Sequence, residues 1–242
     1  MTDPMAEASP RLKARMAGLF YVLTAGTSVF GQMFVLGKLV VEGDAAATAA
    51  HIQAHQSFFR LGFGVLLLSI VFSIVMTVLF YELFKPANKT VSLLAAFIHL
   101  VGLAIMGFGS LLQLAPLAVL GGGPYLRVFN LEQLQALAYL FLQFSAQAFD
   151  AFLVFFGFYC VLLGYLIFKS TFLPRLIGVL MALAGLGYLT LLAKPLADHL
   201  APYNLLPAAL GETSLMLWLL IVGLNVDRWK EQASAARNTI PA

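Results

Sequence analysis

The chain has 242 residues, 61% of them hydrophobic and 10% charged, with a formal net charge of +3. Water-soluble domains are roughly half apolar and about a quarter charged, so no aqueous core absorbs this much apolar surface and a soluble globular fold is excluded. The excess positive charge sits on Lys and Arg flanking apolar runs, which suits anionic lipid headgroups and gives no support to nucleic-acid binding.

A helix crossing ~30 Å of hydrocarbon at ~1.5 Å per residue needs about 20 predominantly apolar residues. The chain supplies such runs at 16–36, 61–84, 91–119, 148–168, 172–193 and 204–225. Membrane barrels alternate apolar and polar residues in segments of about 10, whereas these runs are continuous. The predicted fold is therefore all-α: an integral membrane bundle of six transmembrane helices with short loops and one short surface helix between helices 1 and 2. Residues 1–10 read as a flexible tail, 11–226 as the transmembrane domain and 227–242 as a cytoplasmic C-terminal tail.

The first run follows Arg11, Lys13 and Arg15. It exceeds the 7 to 15 apolar residues of a secretory signal and lacks a small-x-small exit, so it is expected to stay as an anchor. Asp44 then precedes AAATAAHIQAHQ, where it can cap a short Ala-rich surface helix. Further on, the three glycines and proline of LGGGPY at 120–125 stop a helix. Asn130 with Gln133 forms a capping-box pattern that starts the fourth helix early. Taken unbroken over 131–168 that helix would be ~57 Å long, so it either projects from the bilayer or bends near 145–147. The single cysteine, Cys160, lies inside an apolar run and reads as a small buried hydrophobe.

Orientation follows from the basic residues, because Lys and Arg are retained in cytoplasmic joints. With six spans, Arg11, Lys13, Arg15, Lys85, Lys89, Lys169, Arg175, Arg228, Lys230 and Arg237 share one side, against Lys38, Arg60, Arg127 and Lys194 on the other. Both termini are expected in the cytoplasm.

Ionisable groups within spans are costly in hydrocarbon and usually face protein or a cavity. Glu212 lies in the sixth run and Asp150 opens the main part of the fourth, on the helix face of Gln143 and Gln147. Arg60 begins the second run on the same side, Gln32 is late in the first and Gln113 late in the third. These residues are candidates for an outward-facing polar pocket, with Arg60 as the cation and Glu212 and Asp150 as its partners; the alternative is a structural ion pair with helix-joining hydrogen bonds. His99, inside the third run, reads as a buried hydrogen-bonding residue. His51 and His55 have metal-ligand spacing, but two ligands fall short of the three of a catalytic zinc site, and His199 lies in another joint. No metal or cofactor is expected, and no GxSxG elbow, HExxH or CxxC is present.

The ordered set RMAGLFYVLTA, GKLVVEGDAAATA, FFRLG, FKPANK, LEQLQALAYLFL, LGYLIFKSTFLPRLIGVLMALAGLGYL and LGETSLMLWLLIVG resembles the DUF4386 family of bacterial polytopic membrane proteins, over about 15–223. That resemblance implies an inner-membrane location and draws attention to Arg60 in FFRLG and Glu212 in LGETS, without supplying a reaction. The expected function is binding of a membrane lipid or other small amphipathic ligand in the pocket, with 21 Phe and eight Met offering adaptable apolar lining. A secondary carrier or channel is the alternative, and it would need polar residues through the full thickness, whereas the inner half has mainly Ser69, Ser73, Thr77 and His99. A membrane-embedded enzyme acting on a lipid is the third reading.

Overall fold

The structure, a computed structural model, describes residues 9–238. Among these residues the chain is predominantly helical, with no strand. Six segments are long and apolar enough to cross a membrane. They are α1 (Pro10–Leu39), α3 (Gln56–Phe84), α4 (Lys89–Leu120), α5 (Leu131–Lys169), α6 (Arg175–Leu189, continued by a 3-10 turn at Thr190–Leu192) and the segment Tyr203–Ile221, whose α-helical part, Leu206–Ile221, is α8. Among the described residues there are also three shorter α-helices, α2 (Ala45–Ala54), α7 (Lys194–Leu200) and α9 (Val226–Asn238), and a 3-10 turn at Pro124–Leu126.

Local chemistry accounts for the boundaries. The Asp44 carboxylate accepts from the Ala47 N–H at 2.8 Å and starts α2. At α5 the capping box is complete: Gln133 N–H donates to Asn130 Oδ1 at 2.9 Å, and Asn130 N–H donates to Gln133 Oε1 at 3.0 Å. From that start α5 runs as one helix of 39 residues, ~58 Å along its axis, with no interruption at 145–147. Within the segment expected as a C-terminal tail, Val226–Asn238 forms helix α9. Asn225 Oδ1 caps it by accepting from Arg228 N–H at 3.1 Å, and its Ala-rich second half favours helix. Trp229 Nε1 ties it down by donating to the Leu83 carbonyl at 2.9 Å. Of the N-terminal tail 1–10, all but Ser9 and Pro10 lie outside the described residues, and Pro10 already begins α1.

The helices form two compact units. The larger contains the described residues up to Val22, Ser73–Gly102 and the described residues from Leu153 onward; the smaller contains Leu23–Phe72 and Leu103–Phe152. Lipid tails are as apolar as leucine, so helices in a bilayer are held by close van der Waals packing and interhelical hydrogen bonds rather than by a hydrophobic drive. Glycines provide the close packing in both units.

In the larger unit α5 and α6 meet backbone to backbone. A Cβ at Gly164 would lie 2.6 Å from the Gly178 carbonyl oxygen, and one at Gly157 would lie 3.0 Å from that of Gly185; the reciprocal positions are equally tight. Gly18 of α1 meets the Leu220 amide of α8 in the same way, at 2.6 Å. In the smaller unit Gly31 of α1 accommodates Leu66 of α3, and Gly62 of α3 accommodates Val35. Around that crossing Val35, Leu39, Ile52, Phe59 and Leu142 make a closed apolar cluster.

The last part of α1 departs from α geometry. Over Phe30–Leu36 it is π-helical, with the Gly37 N–H reaching the Gln32 carbonyl five residues back. Single π turns are inserted mostly where a helix must redirect side chains, often at functional sites. Here the turn carries Gln32.

Candidate functional site

Outward-facing apolar side chains set the setting of any site. Phe97, Phe108, Leu111, Leu186 and Leu210 each expose more than half of their surface. Water would oppose such a surface, whereas lipid accepts it.

A cavity of about 330 Å³ lies in the smaller unit. This is the lower end of the size range of small-molecule sites. Its polar lining comes from Gln32, Glu42, Tyr139, Gln143 and Ser145, and Leu36, Val40 and Leu142 supply apolar wall. Each arrives for a local reason. The π turn presents Gln32. Tyr139, Leu142, Gln143 and Ala146 are spaced three and four residues apart, so α5 offers them as one stripe. The remaining wall is the loop after α1, which turns at Gly43 with φ +75, a left-handed conformation that side chains resist. The Gly43 N–H donates to the Tyr139 hydroxyl at 2.9 Å, fastening that loop and its neighbour Glu42 to α5. The result is a concave site with amides, a phenol and one carboxylate opposite aliphatic carbon, a lining that complements an amphipathic molecule.

Glu212 occupies a different setting, in the larger unit. The Tyr188 hydroxyl donates to its Oε1 at 2.6 Å and the Tyr21 hydroxyl to its Oε2 at 3.1 Å. One carboxyl group thereby links α1, α6 and α8. Arg60, expected as its partner, belongs to the smaller unit and is exposed. Aromatic contacts extend the cluster within the larger unit. Tyr21 meets Phe80 edge to face at 6.0 Å, and Tyr188 meets Phe156 at 5.5 Å. His99 stacks on Tyr159, with ring centroids 4.3 Å apart. Thr77 Oγ1 and His99 Nδ1 share a hydrogen bond at 2.8 Å, and Thr77 Oγ1 also lies 2.7 Å from the Ser73 carbonyl oxygen. The buried Tyr159 hydroxyl lacks a hydrogen bond among the described residues.

The other residues expected at the site are dispersed. Of that set, Gln143 lines the recess. Gln147 and Asp150 continue its stripe one and two turns along α5, both exposed. Gln113 is fully buried in the smaller unit, and neither its amide oxygen nor its nitrogen has a hydrogen bond among the described residues. His51 and His55 line a separate recess with Lys38. Among the described residues no three of His, Cys, Asp or Glu come together to hold a metal ion. Sequence reasoning missed Tyr139, Glu42 and the tyrosine pair on Glu212. For Tyr139 a signal existed, since it stands four residues before Gln143; for Tyr21 and Tyr188 none did, because their meeting with Glu212 is a matter of tertiary packing.

Six apolar helices with lipid-compatible outer faces define an all-α, multi-pass membrane protein. The chain belongs to the family described as "Domain of unknown function (DUF4386)", whose model matches residues 16–223. No curated protein and no solved structure matches it.

Proposed function

We propose that the protein binds a lipid or other small amphipathic molecule in the recess of the smaller unit, with that recess facing the outer side of the bacterial cytoplasmic membrane and both termini in the cytoplasm. The observation that carries the reading is the lining itself: Gln32, Tyr139 and Gln143 present hydrogen-bonding groups opposite Leu36, Val40 and Leu142 in one cavity of about 330 Å³. A ligand head rests on the amides and the phenol, and Glu42 at the loop favours a hydroxylated or cationic head. Its apolar part follows the aliphatic wall. The orientation rests on the ten-to-four division of Lys and Arg between the two sets of joints. A C-terminal reporter active only in the cytoplasm is expected to function; activity of a periplasm-dependent reporter there would reverse it.

The binding reading is tested by native mass spectrometry on protein purified in mild detergent, followed by organic extraction. Wild type is expected to carry a stoichiometric lipid or amphiphile, and Gln143→Leu combined with Gln32→Leu is expected to lose most of it. Cys160, the single cysteine and fully buried, serves as the folding control through its resistance to thiol alkylation. A wild type without bound molecules, or equal retention by a folded double variant, sinks the reading.

A further inference from the structure

A second recess in the smaller unit, about 280 Å³, is lined by Lys38 and Leu39 at the end of α1, His51 of α2, His55 between α2 and α3, and Phe58 of α3. We propose that it is a binding site for a phosphate group.

Three nitrogen-bearing side chains converge there without a carboxylate in the lining. The nearest acids in sequence are committed elsewhere, Asp44 to the cap of α2 and Glu42 to the other recess. His51 and His55 stand one helical turn apart, and the His55 N–H bonds back to the His51 carbonyl at 3.0 Å, which carries the turn through to the second imidazole. Taken alone the pair has the spacing of two metal ligands. Lys38 changes its character, because an ammonium beside two imidazoles repels a divalent cation and attracts an anion to which all three donate. Phosphate offers enough acceptor oxygens for three donors at once.

The location supports the same chemistry. Lys38 is in the last turn of the apolar segment α1, and His55 immediately precedes the apolar segment α3. The recess is thus at the end of two membrane-crossing segments, where lipid phosphates lie, and Leu39 and Phe58 line its apolar part. A lipid phosphodiester and free phosphate share this chemistry. The site is separate from the recess of the proposed function, so either can fail alone.

The experiment uses the full-length protein in detergent with phosphatidylglycerol, diacylglycerol of the same acyl chains and inorganic phosphate as probes, read by native mass spectrometry. Lys38→Gln is expected to weaken phosphatidylglycerol binding about fivefold, the effect of one interfacial cation, and His51→Gln with His55→Gln to weaken it further. Lys38→Arg retains it, and diacylglycerol binding is indifferent to all three changes. Displacement by millimolar inorganic phosphate identifies free phosphate as sufficient; resistance to displacement, with the Lys38 effect present, identifies the lipid ester. Gln143→Leu leaves the Lys38 effect intact. Phosphatidylglycerol binding unchanged in the Lys38 and histidine variants, or stoichiometric zinc taken up by wild type and lost with the histidines, overturns the proposal.

Discussion

Glu212 shows how a single residue joins the larger unit. A carboxyl group in a membrane segment needs donors, and two phenols from different helices supply them. Interhelical hydrogen bonds in membrane proteins are worth about 0.6 kcal/mol on average and up to ~1.7. Tyr188→Phe, which removes the shorter of the two, is expected to cost an amount in that range in detergent unfolding and to speed alkylation of buried Cys160. The same change made on top of Glu212→Ala should cost much less, since the partner is already gone; equal costs in both backgrounds would mean that the bond does not contribute. At this scale the sequence was only half legible. An acid in an apolar run announces itself by its cost, so Glu212 stood out, but the identity of its partners depends on which helices adjoin. Charge complementarity points to Arg60, whereas the donors found on Glu212 are Tyr188 and Tyr21.

Among the helices, α5 and α6 approach closely through two reciprocal glycine contacts, Gly157 with Gly185 and Gly164 with Gly178. Both pairs are seven residues apart on their own helix, two helical turns, which places each pair on one face. That repeat is visible in the sequence and went unread, because apolar periodicity draws attention to large residues while small ones decide where membrane helices touch. Gly164→Val would press a branched side chain against the Gly178 carbonyl and the Ala182 backbone. Overpacking of this kind costs about 1 to 3 kcal/mol or more, measurable as a lower unfolding midpoint; Gly26→Ala, where nothing lies within 4 Å, is expected to be nearly neutral. Equal effects at the two positions would refute the close contact. Element boundaries were more legible, since Asp44, Asn130 and the glycines after Leu120 act through local hydrogen bonds and backbone freedom that need no tertiary knowledge. The π turn of α1 had no such signal.

At the scale of the whole molecule, six apolar runs were readable because length and composition alone determine whether a helix suits hydrocarbon. Convergence of side chains was not readable in the same way. The stripe Gln143, Gln147 and Asp150 follows from the periodicity of α5, yet the recess is centred a turn earlier, on Tyr139 and Gln143, because the loop fastened by Gly43 closes over that part of the helix. The central claim is that this recess, rather than the general lipid-facing surface, holds the amphipathic ligand. The most direct test is photo-crosslinking of the purified protein with a diazirine-bearing phospholipid, followed by peptide mapping. Adducts concentrated on residues 32–42 and 139–146, and lost with Gln32→Leu and Gln143→Leu, are the predicted result. Adducts spread over outward-facing positions such as Leu68, Val71 and Leu186, unchanged in that variant, would contradict it.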